Sequence, residues 1–146
     1  MWIGGADLAD ALGNIRPAPQ LVTESELSEA ITTGQLVVHY QPKATFGPAG
    51  VWHIEGAEAL VRWRHPRCGL LMPNEFIRLA EMAGLISPLT DFVLRAALGQ
   101  ASRWHARGLP LSVAINLAPR LLSQLDLPDR LSRLVDEYGV DGSKLV

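Results

Sequence analysis

The hydrophobic and polar positions from Val51 to Trp63 place an acid and a base among apolar residues of strand type, and this pattern predicts a long central β-strand. Successive side chains of a strand point to opposite faces, so Glu58, Leu60 and Arg62 share one face. The other face is apolar and is formed by Ala57, Ala59, Val61 and Trp63. At roughly 3.3 Å per residue, the Cα atoms of Glu58 and Arg62 lie about 13 Å apart, which disfavours an ion pair between them. We therefore expect the carboxylate to bind a metal ion or a proton, and the guanidinium to bind a phosphate or a carboxylate. The alternative is that this face is simply exposed to solvent and has no functional role.

A shorter apolar run precedes the central strand. Leu36 to Tyr40 contains two valines and predicts a buried strand that carries Gln41 at its end, just before Pro42. The intervening segment 46–50 contains two glycines and a proline, which predicts a turn. Because closely spaced strands with a tight link are usually antiparallel neighbours, we predict that these two strands pair.

Four helices are predicted from residues that typically begin and end helices. Their expected bounds are Thr23 to Gly34, Pro73 to Gly84, Ser87 to Gly108 and Pro128 to Gly139, with one short helical turn at Pro119 and a loop from Arg64 to Met72. Thr23 and Glu26 match a capping box at the first helix. Met72 precedes the second helix without a side chain suited to capping, so that helix should begin weakly.

A third strand is predicted from Leu111 to Leu117, where small and polar side chains share one face with Asn116. The last three residues, 144–146, resemble the start of another strand. Trp63 lies on the apolar face of the central strand and Trp104 on the apolar side of the longest helix, so both are predicted to be core residues.

The alternation of strands and helices predicts an α/β domain. Residues 1–22 contain several glycines and prolines and only a short apolar period, which indicates a linker or lead-in segment. Residues 23–146 would then form the folded part. No internal repeat or low-complexity tract is present in the sequence.

Composition narrows the class of protein. With 146 residues, 48% hydrophobic and 19% charged, the chain is typical of a soluble globular domain. A net charge of -2 argues against general nucleic-acid binding, so an anionic ligand would need a local basic group. Arg62 is the preferred one, because Arg64 and Arg67 are expected in an exposed loop. Cys68 is the only cysteine and no apolar run reaches membrane length, which together favour a cytoplasmic chain.

Several common catalytic patterns are missing. The sequence has no phosphate-binding glycine loop with lysine, no HExxH and no Gly-x-Ser-x-Gly nucleophile. The four histidines, His39, His53, His65 and His105, lack metal-ligand spacing and are interpreted as structural or exposed.

A set of separated motifs carries a family resemblance. These are Tyr40-Gln41-Pro42-Lys43, Glu58-Ala59-Leu60-Val61-Arg62-Trp63, His65-Pro66, Gly69-Leu70-Leu71, Glu75-Phe76-Ile77, Leu79-Ala80-Glu81, Gly84-Leu85-Ile86 and Ala114-Ile115-Asn116-Leu117. In this order they resemble the EAL family of cyclic di-guanylate phosphodiesterases over roughly residues 24 to 146. The resemblance implies a (β/α)₈ barrel of the TIM type with an unusual first strand. A complete barrel takes roughly 250 residues, so the chain would hold a partial barrel, truncated after about its first half.

The resemblance also implies roles for four residues. Glu58 would be a catalytic metal ligand, Asn116 a second ligand, and the metal Mg²⁺ or Mn²⁺. Arg62 would bind a phosphate of cyclic di-guanylate, and Gln41 would hydrogen-bond the same ligand. From the residues alone, a strand-end cap is the favoured interpretation of Asn116, and Gln41 could equally be a loop amide that contacts backbone.

The implied activity is hydrolysis of cyclic di-guanylate to linear pGpG in bacterial signalling. The family's later parts, a further glutamate, an aspartate pair and a lysine, are not in this chain, so the chain alone is expected to be inactive. The alternative is a non-catalytic EAL-like module that binds a protein partner or the nucleotide. Self-association is expected through unpaired strand edges or through the dimer of an intact domain.

Overall fold

A computed structural model describes residues 22–48, 50–121 and 126–146. The predicted linker over residues 1–22 lies outside this part, apart from Val22. The elements in chain order are α1 (Glu24–Thr33), β1 (Leu36–Phe46), β2 (Trp52–His65), β3 (Gly69–Leu71), α2 (Pro73–Met82), α3 (Ile86–Ala106), β4 (Ser112–Ile115), a 3₁₀ turn (Pro119–Leu121), α4 (Leu127–Tyr138) and a second 3₁₀ turn (Gly142–Lys144). This is the mixed α/β order predicted from the sequence.

The predicted helix ends are largely confirmed. Thr23 and Glu26 form both hydrogen bonds of a capping box, and Gly34 ends α1 in the left-handed conformation. Although Met72 supplies no side-chain cap of its own, its backbone N–H donates to Oε2 of Glu75 at 2.7 Å. Gly139 ends α4 with φ of 61°.

β1 and β2 pair antiparallel as predicted, but β1 continues six residues beyond the predicted end at Tyr40. Pro42 was expected to stop the strand. Among the described residues β1 pairs only with β2, so it is an edge strand, where a residue without an N–H donor is tolerated. The hairpin closes with a hydrogen bond from Gly47 N–H to the Val51 carbonyl at 2.9 Å.

The predicted loop from Arg64 to Met72 is partly wrong. Its first two residues, Arg64 and His65, end β2, and Gly69 to Leu71 form β3, which pairs antiparallel with the end of β2. The turn between them is held by His65, whose Nδ1 accepts the backbone N–H groups of Arg67 and Cys68 at 3.1 Å each. Gly69 completes the turn with φ of 72°, a conformation that glycine adopts without strain. The histidine is thus buried and structural.

β4 runs parallel to β2, in register from Gly56 beside Ser112 to Ala59 beside Ile115. The approach is close at Gly56, where an added Cβ would lie 2.2 Å from Ser112 Oγ and 2.6 Å from the Ser112 carbonyl oxygen. Only glycine fits there. Of the strand predicted at residues 144–146, the structure shows an isolated bridge in which Leu145 pairs in parallel with Val113, whereas Lys144 ends the second 3₁₀ turn.

The helices pack on one face of this sheet and bury two hydrophobic clusters. Trp63 is fully buried, as predicted, and its Nε1 donates to Gln35 Oε1 at 3.1 Å. Trp104 is only half-buried, so it borders the core and does not lie within it as predicted. Its ring packs edge-on against Tyr40 with ring centroids 5.2 Å apart, at the margin of the second cluster. None of the helices in the described ranges is long and apolar enough to cross a membrane.

Candidate active site

Glu58 lies near the middle of β2, on the sheet face that the helices leave open. The predicted division of faces is confirmed, because the buried members of this part of β2 are Ala57, Ala59, Val61 and Trp63. Glu58, Leu60 and Arg62 alternate with them and are half-buried. Tyr40 shows which side the helices cover, since its hydroxyl donates to the Ala96 carbonyl of α3 at 3.0 Å.

Asn116 meets Glu58 across the two parallel strands. Ala114 is the register partner of Glu58, so Asn116 lies two residues farther along on the same face. Its Nδ2 donates to Glu58 Oε1 at 2.6 Å. The close fit of Gly56 against Ser112 fixes the register that makes this contact.

Gln41 lies directly opposite Glu58 on β1. Opposite residues of an antiparallel pair share a face, so the carboxamide and the carboxylate point to the same side. Because β1 continues past Tyr40, Gln41 lies within a strand, and the interpretation as a loop amide is wrong. Its side chain is exposed.

Arg62 lies on the same face, four residues after Glu58. Its guanidinium donates to the Val61 carbonyl at 2.8 Å, and no ion pair joins it to Glu58 within the described ranges. Arg64 is exposed as expected, but it lies in β2 opposite Leu70 and not in a loop. Arg67 is also exposed and forms an ion pair with Glu26, away from this face. Because Arg62 and Arg64 follow Glu58 by four and six residues along β2, both share its face, and Arg62 is the nearer of the two.

Two further residues of this face were not predicted. His39 lies opposite Leu60, and Lys43 lies opposite Gly56, so both share the side of Glu58 and Gln41. Lys43 was missed because the strand was expected to end before Pro42. The sequence signal was the continued alternation of Gln41, Lys43 and Thr45 with smaller or apolar residues.

The largest change in acidity occurs away from this face, at Glu26. The backbone N–H of Thr23 and, next, the guanidinium of Arg67 stabilise its carboxylate and lower its pKa to about 2 from 4.5. Burial raises the pKa of Tyr40 above its usual value. Both groups stabilise structure: Glu26 caps α1, and Tyr40 ties β1 to α3.

The donor set at Glu58 fits a hard divalent cation only in part. A carboxylate and a carboxamide oxygen are the ligand types that Mg²⁺ and Mn²⁺ prefer. No group of three or more His, Cys, Asp or Glu side chains suited to a metal occurs in the ranges that the structure describes. Since such cations take about six oxygen ligands, these two residues could supply only one side of a metal site.

Comparison with known proteins decides the family. The family model described as EAL domain matches residues 24–146. This chain belongs to the EAL domain family. The solved structure entitled "PaMucR Phosphodiesterase, c-di-GMP complex" superposes with a TM-score of 0.76 at 34% identity, over 83% of this chain and 48% of that one. The predicted fold, part of a TIM-type barrel of the EAL kind, is therefore confirmed.

Two curated relatives of this EAL domain carry enzyme names. "Cyclic di-GMP phosphodiesterase PA2567" of Pseudomonas aeruginosa is 41% identical over 83% of this chain and 20% of its own length. "Cyclic di-GMP phosphodiesterase PdeR" of Escherichia coli is 36% identical over 88% of this chain and 19% of its own length. The chain thus spans about a fifth of the length of these relatives.

Proposed function

We propose that this chain forms the first half of a cyclic di-guanylate phosphodiesterase site, which in a complete domain hydrolyses the cyclic dinucleotide to linear pGpG. The proposal is supported by family membership and by the enzyme names of the two curated relatives. Because the chain spans a fifth of their length, the activity is inferred for a longer domain. The single observation that carries the proposal for this chain's own residues is the 2.6 Å contact between Asn116 and Glu58.

The roles follow from the side chains on the open face. Glu58 and Asn116 would hold Mg²⁺ or Mn²⁺ through the carboxylate and the amide oxygen. When bound, such a cation activates water and neutralises charge on the phosphoryl oxygens. Arg62 would fork onto a phosphate of cyclic di-guanylate, and Gln41 would orient the same ligand by hydrogen bonds from its amide.

Charge on the open face supports an anionic substrate. Glu55, which accepts from Thr45 on this side, adds a second carboxylate near the turn. Arg62, Arg64 and Lys43 bring three cations to the side that carries Glu58, and His39 lies between Arg62 and Lys43 along β1. A phosphodiester would find donors on both sides of the carboxylate. This arrangement compensates for a net negative chain, which cannot attract an anion by its overall charge.

The chain alone should not complete the reaction. The reaction needs the substrate to be positioned, a water molecule to be activated and the charge on the phosphoryl oxygens to be stabilised. Each of these depends on ligands that converge from several strands of a closed barrel. Here the open face offers two oxygen ligands and a partial phosphate site. The alternative, a non-catalytic module that binds a protein partner or the nucleotide, predicts binding that does not depend on the metal.

A chimera tests the assignment directly. The aligned stretch of the Pseudomonas aeruginosa relative would be replaced by residues 24–146, and linear product would be followed by chromatography with Mn²⁺. We expect an active chimera that loses roughly 100-fold or more in turnover on Glu58→Gln, the scale on which metal-site changes act. Glu55→Gln is the matched control, because Glu55 is a nearby acid of β2 that hydrogen-bonds Thr45. Equal activity of the Glu58→Gln and Glu55→Gln chimeras, both folded by circular dichroism, would refute the role of Glu58.

We also propose that the half domain self-associates, through unpaired strand edges or through the dimer of the intact domain. β1 exposes an eleven-residue edge in the described part of the sheet, and such edges template open-ended pairing. Size-exclusion chromatography over a dilution series tests the association.

We further propose a cytoplasmic location, which is supported by the presence of a single cysteine, Cys68, in the sequence.

A further inference from the structure

The open face becomes more apolar towards the end of β2. Leu60 lies on this face and is half-buried. Val37 of β1 lies opposite Arg62 in the strand register. Leu70 of β3 lies opposite Arg64. Since register partners share a face, Val37 and Leu70 lie on the same side as Leu60, and both are half-buried. We call Val37, Leu60 and Leu70 the apolar end of the open face.

Arg64 borders the apolar end and is fixed at its backbone. Its N–H donates to the Gln35 carbonyl at 2.8 Å, and β3 pairs with it on the other side at Leu70. The side chain is exposed. In the described part of the chain this side chain forms no ion pair or hydrogen bond, unlike Arg67, which pairs with Glu26. The N–H donors of its guanidinium are therefore available to a ligand on the open face.

The position of Arg64 along β2 decides which part of a ligand it meets. It follows Glu58 by six residues, which at roughly 3.3 Å per residue places their Cα atoms about 20 Å apart. A single phosphate cannot bridge the two side chains, and Arg62 lies between them as the nearer cation. In a cyclic dinucleotide the bases project beyond the phosphates, and a flat base packs against apolar side chains. The apolar end beside Arg64 therefore suits a nucleobase, as in ligand sites that combine apolar walls with few polar groups.

We propose, on the basis of the proposed function, that Arg64 reads a guanine base of cyclic di-guanylate and so determines the base specificity of the site. Guanine presents O6 and N7 as neighbouring acceptors, and the planar fork of an arginine donates to both. Adenine presents N7 beside an amino group, which is a donor and cannot accept the second N–H of the fork. The guanine would lie on the apolar end with its O6 and N7 edge towards Arg64.

Two-dimensional NMR on the 146-residue chain tests this proposal without turnover. The side-chain Nε–H signal of Arg64, assigned by its loss in Arg64→Ala, is followed on addition of millimolar cyclic di-guanylate or cyclic di-adenylate. We expect the signal to shift with the guanine dinucleotide and to stay in place with the adenine dinucleotide. The methyl signals of Leu60 and Leu70 should shift with cyclic di-guanylate in the wild type and not in Arg64→Ala. Circular dichroism checks that the variant is folded.

The chimera that carries residues 24–146 supplies the quantitative readout. Arg64→Ala should raise KM for cyclic di-guanylate roughly 5- to 150-fold, the effect of one bidentate base contact, and should leave kcat within about twofold. Arg64→Lys should raise KM to a similar extent, because lysine keeps the charge but lacks the fork. Arg133→Ala is the matched control, since Arg133 is an exposed arginine on α4, on the side of the sheet that the helices cover. Its KM should equal that of the unsubstituted chimera.

Three results overturn the proposal: no shift of the Arg64 signal with cyclic di-guanylate, equal shifts with both dinucleotides, or an Arg64→Lys chimera whose KM matches that of the unsubstituted one. The last result would assign Arg64 to a phosphate, which needs a charge but no fork. Failure of the proposed function is distinguishable from these results. An inactive chimera refutes hydrolysis, whereas guanine-selective shifts of the 146-residue chain, which need no turnover, still support the role of Arg64.

Discussion

Replacing Gly56 by alanine is expected to separate β4 from β2 and to break the contact between Asn116 and Glu58. The new Cβ would lie 2.6 Å from the Ser112 carbonyl oxygen, whereas ordinary contact begins near 3.4 Å. The strands would have to move apart by about 0.8 Å, the difference between these two distances. Overpacking of this kind costs about 1–3 kcal/mol of unfolding free energy. The hydrogen bond of 2.6 Å would lengthen past the range in which it is strong.

Urea unfolding measures the stability change, and the side-chain NH₂ signals of Asn116 report the hydrogen bond. Gly142→Ala is a suitable control, since its Cβ would meet only Val135 Cγ1 at 3.8 Å. Adding Ser112→Ala to Gly56→Ala removes the clash with the hydroxyl but not the one with the carbonyl, so it should restore only part of the stability. A Gly56→Ala variant within about 0.5 kcal/mol of wild type, with unchanged Asn116 signals, would refute the reasoning.

Three further predictions follow from buried and charged groups. Trp63→Ala should cost about 3–5 kcal/mol by urea unfolding and Trp104→Ala clearly less, because only the former is fully buried; equal costs would contradict this. The lowered pKa of Glu26 adds stability that is present above pH 4.5 and is lost as the pH falls towards about 2. Glu26→Gln should therefore lose less stability than wild type between pH 6 and pH 3, and parallel curves would exclude the contribution. Finally, the chain alone should release no linear product from cyclic di-guanylate with Mn²⁺; product that disappears with Glu58→Gln would show that the half domain assembles a working site.

The parts of the fold that the sequence predicted well depend on local signals. Thr23 and Glu26 are three residues apart, and their capping box is complete in the structure. From Gly56 onward, the two faces of β2 follow from the alternation of side chains along a strand, which needs no knowledge of the partner strands. The helix ends at Gly34 and Gly139 reflect a backbone conformation that glycine favours.

The predictions that failed concern parts of the fold that depend on contacts between residues distant in sequence. β3 has three residues and is held by His65 as a double acceptor, a role that no spacing in the sequence reveals. The extension of β1 through Pro42 depends on its position at the sheet edge. Trp104 has an apolar helical period, but its burial depends on where α3 meets β1.

The same limit applies to the candidate site. Sequence and resemblance named Glu58 and Asn116, but their contact requires the parallel register of two strands, and the side chains are 58 residues apart in sequence. That register is set by the absence of a side chain at Gly56, which a sequence pattern shows only as a glycine in a strand. The site roles of Glu58, Asn116, Gln41 and Arg62 all stay predictions.

The wide sequence separation across β2 and β4 also has a kinetic consequence. Hairpins such as β1–β2 form in about 1–10 μs, whereas a parallel pair must first close a long loop, which here includes both α2 and α3. We therefore expect Glu58 to be held on its hairpin before Asn116 arrives beside it. On this order of events, a substitution at the Glu58–Asn116 contact should leave the folding rate nearly unchanged and should instead speed unfolding.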